Sequence, residues 1–177
     1  TSASTTKRAE METTFVQCIL MNSVAILIPC FNSAQFVETT LQSAINSMLE
    51  GDELILVDDH SDDDSLNIAT RVLNNAGIKF KAVVNPKKGA CAARNHALHI
   101  SENPIIQWLD ADDILGTDKL KKQRLELAKS PNSVIVSPFY PFIGDPEYGA
   151  ISHDRDWNCS KIMSGADWLA SNRMTIP

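Results

Sequence analysis

The chain has 177 residues, 44% of them hydrophobic, a size and composition that build one well-cored domain. A formal net charge of −6 and a pI near 5.1 exclude a surface made for nucleic acid, since phosphate binding relies on clustered Lys and Arg and only Lys87 and Lys88 pair up. No apolar run approaches the ~20 residues of a transmembrane helix, and the cysteines Cys18, Cys30, Cys91 and Cys159 lack CxxC or zinc-site spacing, which fits a reduced, cytoplasmic setting with the inner face of a membrane as a peripheral location.

Residues 1–22 open with a Thr, Ser and Ala-rich stretch without apolar period and read as a disordered or poorly ordered leader. The run 24–28 is a compact apolar strand stopped by Pro29. Asn32 or Ser33 then caps a helix that carries Val37, Leu41, Ala44, Ile45 and Met48 on one face and closes at Gly51. Leu54, Ile55, Leu56 and Val57 form a second strand ending in Asp58 and Asp59. Ser61 and Asp64 stand at capping-box spacing before a helix with Leu66, Ala69, Val72, Leu73 and Ala76 on its apolar face, closed by Gly77. A third strand spans 80–84, an alanine-rich helix 89–101, and a fourth strand 105–109 after Pro104. Thr117 starts a further helix to Lys129, and 133–137 is a fifth short strand.

This βαβαβαβαβ order, with continuous apolar strands and no hairpin dipeptides between them, predicts an α/β fold: a Rossmann-like, mostly parallel sheet with helices on both faces. The core is expected over 23–137. Prolines and Gly144 break the pattern over 138–148, and 165–172 offers one short helix.

Two strand ends carry unusual charge. Asp58 and Asp59 end the second strand, and Asp110, Asp112 and Asp113 end the fourth. Carboxylates gather at the end of a buried strand when a cation or a sugar hydroxyl offsets their repulsion. In open α/β sheets the carboxyl ends of the strands face one crevice, so both tips can meet one ligand. The run 62–64 has a plainer explanation, because carboxylates at a helix N-terminus complement the macrodipole. His60, His96, His99 and His153 lack ligand spacing, Cys30 and Cys91 read as small packing residues, and Trp157 and Trp168 fit packing better than an acceptor groove.

Four pieces then occur in order: Val24 to Ile28 with Pro29, Cys30, Phe31 and Asn32; Val57, Asp58, Asp59, His60 and Ser61; Lys88 to Asn95 with Gly89 and Arg94; and Leu109, Asp110, Ala111, Asp112 and Asp113. Together they resemble the nucleotide-sugar half of a family 2 glycosyltransferase with the GT-A fold, over roughly 24–127. The resemblance implies that Pro29 and Phe31 border the nucleoside and that Asp59, with Asp58, accepts hydrogen bonds from the base. It implies that Arg94 and the backbone at Gly89 lie against nucleotide or phosphate. Asp110 and Asp112 match the family's DXD pair. Asp112 would hold a divalent cation, Mg²⁺ or Mn²⁺, bridging the diphosphate, and Asp110 would contact ribose or that ion through water, with Asp113 nearby.

The activity implied is a metal-dependent, inverting transfer from a nucleotide diphosphate donor, a UDP-sugar above others, to a glycan, lipid or protein acceptor, as in polysaccharide biosynthesis. The family's catalytic base, usually the Asp of a Glu-Asp pair, has no counterpart between Gly116 and Pro177, where Asp145, Asp154, Asp156 and Asp167 stand in other contexts. Residues 138–177 therefore read as the truncated start of an acceptor region. Two alternatives stay open: a catalytically silent fragment that binds the donor, and a nucleotidyltransferase, against which the lack of a Gly-rich basic loop near Pro29 to Ser33 counts.

Overall fold

The structure is a computed structural model that describes residues 23–130 and 133–137, together with the strand Lys161–Ser164. The expected leader, the irregular stretch over 138–148 and the helix over 165–172 lie outside the described residues. The chain divides into two compact units, Thr1–Leu120 and Lys121–Pro177.

The first unit alternates strand and helix: β1 (Val24–Cys30), α1 (Val37–Ser47), β2 (Glu53–Asp58), α2 (Ser65–Ala76), β3 (Lys79–Val84), α3 (Ala90–Ile100) and β4 (Ile105–Trp108). The strands form one parallel sheet in the order β3-β2-β1-β4. A period of two divides the side chains of β1 and β2 between its faces. Val24, Ile26, Ile28, Leu54 and Leu56 pack with Val37, Leu41 and Ala44 of α1 and Ala69 and Leu73 of α2. Ala25, Leu27, Ile55 and Val57 meet Ala93 and Ala97 of α3 on the other face. Helices thus cover both faces, as the alternating order predicts, and β2 is buried along its whole length.

The helix starts differ from expectation. α1 begins at Val37 and α2 at Ser65, and neither has a side-chain cap. The polar residues ahead of them bond to each other instead. Ser61 Oγ accepts the Asn32 N–H at 2.9 Å, Ser65 Oγ accepts the Ser33 N–H at 2.7 Å, and Asp63 Oδ2 accepts the Ala34 N–H at 2.9 Å. Gly77 does close α2 as expected, in the left-handed conformation at φ 65°.

A further helix, α4 (Lys119–Lys129), leads into the second unit. There β5 (Ser133–Val136) pairs antiparallel with β6 (Lys161–Ser164), Val134 opposite Met163. The fifth strand therefore does not extend the parallel sheet. Composition marks a residue run as a strand but leaves its partner open, since pairing is set by long-range register. Among the described residues, no helix is long and apolar enough to cross a membrane.

Candidate functional site

The chain leaves β1 towards β2 on one side, and β4 later joins β1 on the other, so the connections after β1 and β4 diverge at their carboxyl ends. Ligands of open α/β sheets bind in the crevice that such a reversal opens. An open cleft of about 210 Å³ lies there within the first unit. Its walls come from four places: Pro29, Cys30, Phe31 and Ser33 at the end of β1, Asp59 after β2, Ala90, Ala93 and Arg94 on α3, and Asp110, Ala111 and Asp112 after β4.

Asp59 is the most firmly held of these side chains. Its Oδ1 accepts hydrogen bonds from Asn85 Nδ2 and from the Gly89 N–H, both at 2.8 Å, and the same Gly89 N–H lies 2.9 Å from Oδ2. Burial works to raise the Asp59 carboxyl. The Asn85 amide and the Gly89 N–H, helped by the charges of His60 and Lys88, outweigh it and hold the group below the usual carboxylate range. The side chain is thus a nearly buried, ionised acceptor with one edge on the cleft. Gly89 reaches it from φ 123° and ψ 141°, a region essentially reserved for glycine.

Across the cleft, Arg94 Nη2 donates to Asp110 Oδ1 at 2.6 Å. Both side chains are about half exposed, so solvent screens the pair and it exchanges partners at little cost. Asp112 is exposed beside it. The Asp113 carboxyl is raised, first by partial desolvation and then by the charges of Asp112 and Asp110, which reports crowding of negative charge at this tip. The loop itself is pinned to α1. Thr40 Oγ1 donates to the Ala111 carbonyl at 2.9 Å, and Ser43 Oγ accepts the Leu115 N–H at 3.1 Å.

Most of the residues nominated from sequence meet here: Pro29, Phe31, Asp59, Arg94, Asp110 and Asp112 all line the cleft. Asp58 and Gly89 do not. Asp58 is buried, and its Oδ2 accepts the Ser61 N–H at 3.0 Å, which shapes the turn after β2. The Gly89 N–H is engaged by Asp59, so its contribution runs through that carboxylate. Five lining residues, Cys30, Ser33, Ala90, Ala93 and Ala111, were not nominated as ligand contacts. Asn85, buried and bonded to Asp59, was missed altogether. Only its place, directly after the third strand, hinted at a rim position.

The donor set fits a hard divalent cation. Asp110 and Asp112 offer carboxylate oxygens two residues apart on one loop, the ligand type that Mg²⁺ and Mn²⁺ take. Among the described residues, no group of three His, Cys, Asp or Glu side chains forms a ready cage. A cation here would need phosphate oxygens to complete its shell, as is common for Mg²⁺.

Over residues 25–171 the sequence matches the model of glycosyl transferase family 2. It is 35% identical over 103 residues to the Escherichia coli UDP-Glc:alpha-D-GlcNAc-diphosphoundecaprenol beta-1,3-glucosyltransferase WfaP, covering 58% of this chain and 40% of that protein. It is 33% identical over 118 residues to the cholesterol galactosyltransferase of Borreliella burgdorferi, covering 66% of this chain and 32% of the relative. The chain thus spans two fifths or less of the length of these two relatives. Among solved structures, S. aureus TarS 1-349 superposes with a TM-score of 0.61 at 20% identity, covering 73% of this chain and 40% of TarS 1-349. The Pyrobaculum calidifontis mannosyltransferase PcManGT, solved with GDP-Man and Mn²⁺, gives a TM-score of 0.56 at 23% identity, covering 62% of this chain and 33% of its own. These structures share the α/β fold, and the sequence match across most of the chain settles its kinship: the protein belongs to glycosyl transferase family 2.

Proposed function

We propose that the cleft binds a nucleoside diphosphate sugar, UDP-linked above others, and presents the sugar for inverting transfer to a glycan, lipid or protein acceptor. The observation that carries this reading is the convergence of Asp59, Arg94, Asp110 and Asp112, from three separate segments, on one crevice at the carboxyl ends of the strands. WfaP uses a UDP-sugar by its name, and TarS has been solved with UDP-GlcNAc, which supports the choice of donor.

Each side chain has a chemical task in that reading. Asp59, ionised and acceptor-only, suits a base that offers an N–H, as the uracil imide does. Pro29 and Phe31 give the nucleoside an apolar border, and Phe31 is already half exposed for stacking. Arg94 leaves Asp110 and turns to a phosphate oxygen, since guanidinium binds phosphate and carboxylate alike. Asp110 is then free for the ribose or the hydrated cation, and Asp112 would hold Mg²⁺ or Mn²⁺. Such an ion, when bound, stabilises the negative charge that grows on the departing diphosphate.

In the transfer itself the acceptor hydroxyl oxygen forms the new bond to the anomeric carbon as the bond to the diphosphate breaks on the opposite side. The hydroxyl proton must pass to a base. Asp145, Asp154, Asp156 and Asp167 lie outside the described residues, so the base is assigned to none of them. A second reading is donor binding without transfer.

Calorimetric titration of UDP with and without Mn²⁺ tests the site. The reading expects Mn²⁺ to tighten UDP binding and Asp112→Ala to abolish that gain. Failure of both UDP and GDP to bind would remove the donor site. Turnover of a UDP-sugar, by transfer or hydrolysis, separates the enzyme from the silent binder.

A further inference from the structure

Two hydroxyl side chains interrupt the apolar face of α1. Thr40 and Ser43, each 1% exposed, stand among the buried residues Val37, Leu41 and Ala44, three positions apart and so on one side of the helix. A buried hydroxyl costs free energy unless it finds a partner, and both find one on the loop after β4. Thr40 Oγ1 donates to the Ala111 carbonyl at 2.9 Å. Ser43 Oγ gives its one proton to the Thr40 carbonyl at 2.7 Å and therefore meets the Leu115 N–H, 3.1 Å away, as an acceptor. The loop is thus held at two points five residues apart in its bonding pattern, Ala111 by a donor and Leu115 by an acceptor. Leu109, Ala111 and Leu115 pack in the same core cluster as Val37, Leu41 and Ala44, while Asp110, Asp112 and Asp113 are exposed. Docking the apolar residues on α1 turns the aspartates outward.

We propose that Thr40 and Ser43 are positioning residues for the divalent cation, acting through the backbone of the loop that carries Asp110 and Asp112. The proposal rests on the donor-site reading above, in which those two carboxylates face the ion. Ala111 lies between them, so a bond to its carbonyl fixes the stretch of backbone from which both side chains leave. Neither hydroxyl lines the cleft, and their influence on a ligand there runs through the loop alone. The same helix is tied to the opposite wall, because the Val37 N–H donates to the carbonyl of Ser33, a lining residue, at 2.9 Å. α1 therefore sets the spacing between the β1 end of the cleft and its acidic tip. With only two carboxylates and no third acidic, His or Cys ligand grouped with them among the described residues, cation affinity depends on how well that pair is held in place.

The test is the Mn²⁺ concentration that gives half of the metal's gain in UDP affinity, measured by calorimetry on the full chain. Thr40→Val keeps the branched shape and removes the donor, and Ser43→Ala removes the acceptor. Each should raise that concentration about tenfold, the lower end of the usual cost of losing a group that orients a metal ligand. UDP affinity without metal should stay within about twofold of wild type, since the hydroxyls do not reach the nucleotide. Thr40→Ser, which keeps a hydroxyl, should restore the wild-type midpoint. A ligand-free readout runs beside it: amide exchange at Leu115 should quicken in Ser43→Ala. Unchanged Mn²⁺ midpoints in both Thr40→Val and Ser43→Ala overturn the proposal and leave the hydroxyls a role in stability alone. Equal losses of UDP affinity with and without Mn²⁺ overturn it too, because they mark a general defect of the fold. A wild-type chain that binds UDP but ignores Mn²⁺ would instead bring down the cation site of the donor reading, and the positioning role with it.

Discussion

Replacing Gly89 with alanine separates backbone conformation from space. A Cβ built at Gly89 meets no atom within 4 Å, so the substitution creates no clash. The backbone sits at φ 123° and ψ 141°, where an L-residue is strained by about 1–3 kcal/mol. For a chain of this size each kcal/mol lowers Tm by about 2–4 °C, so Gly89→Ala should lower it by about 2–12 °C. Gly77 is the internal control. A Cβ there also meets nothing within 4 Å, but φ 65° lies in the ordinary left-handed well, at a cost near 1 kcal/mol. Gly77→Ala should therefore cost about 2–4 °C. The variants should differ more sharply in ligand binding. If strain at Gly89 displaces its N–H from Asp59, UDP binding weakens about tenfold, whereas Gly77→Ala leaves it unchanged. Scanning calorimetry and UDP titration on both variants check the pair of expectations. A Gly89→Ala protein with wild-type Tm and wild-type UDP affinity would refute the reasoning.

Three further outcomes follow from other groups of the fold. Hydrogen bonds from Lys81 and then Lys79, with their charges, hold the Glu102 carboxyl at about 2 against an ordinary 4.5. A depressed carboxylate stabilises the fold above its unfolded pKa, so that contribution is whole above pH 4.5 and lost as pH falls towards 2. Urea midpoints across this window should fall less steeply for Glu102→Gln, and parallel slopes would dismiss the linkage. Glu53, 1% exposed, accepts the N–H groups of Glu102 and Asn103 at 2.6 and 2.9 Å, with Lys79 Nζ at 3.7 Å. Glu53→Gln should cost about 1–3 kcal/mol in denaturant unfolding yet leave UDP titration unaltered, because this network lies at the opposite end of the strands from the cleft. Finally, burial, reinforced by the Asp58 charge, pushes the Cys30 thiol up to about 11, whereas Cys91 is exposed. Iodoacetamide at pH 8 should label Cys91 and spare Cys30 in the folded protein, as peptide mapping would read out.

The parallel sheet was legible because its signals are local. Apolar runs such as Leu54 to Val57, stopped by polar turns and alternating with helical stripes, specify strands whichever partner they meet. Partner choice was not legible for the fifth strand, which pairs with Lys161–Ser164 rather than joining the sheet. Six of the nominated ligand residues line one cleft because the carboxyl ends of neighbouring parallel strands must open onto the same side. What escaped was the support beneath them. Asn85 carries no compositional mark, and a single asparagine after a strand reads as a turn until its partner across 26 residues is placed. The acidic run over 62–64 does precede a helix start, at Ser65, but carries more than that. Beyond complementing the helix dipole, Asp63 accepts the N–H of Ala34 and both the N–H and the hydroxyl of Ser65.

These supporting bonds explain how flexible loop tips can present ligand groups at fixed positions. The turns after β1 and β2 are joined at Asn32 in both directions, since its N–H donates to Ser61 Oγ and its Oδ1 accepts the Asp62 N–H at 2.8 Å. The Asp59 N–H donates to the Cys30 carbonyl at 2.7 Å, which carries the ladder one residue past the strand ends. Two non-glycine residues here, Asn32 at φ 47° and His60 at φ 63°, take the left-handed conformation. Both residue types tolerate that region better than most, and the cross-loop bonds hold them there against its cost. His60 follows Asp59 directly, so the reversal of the chain at His60 turns the backbone away while the Asp59 side chain stays over the cleft. Asp59 is thus fixed from three sides: by β1 through its own N–H, by Asn85 and Gly89 through its carboxylate, and by the turn that follows it. The Arg94 and Asp110 side chains, the latter on a loop whose backbone is pinned to α1, are held only by their own contact among the side-chain bonds of the described residues and are half in water. The Asp59 side of the cleft is therefore preorganised, and the Arg94–Asp110 side is freer to change partners, which in the proposed reading suits it to an arriving diphosphate.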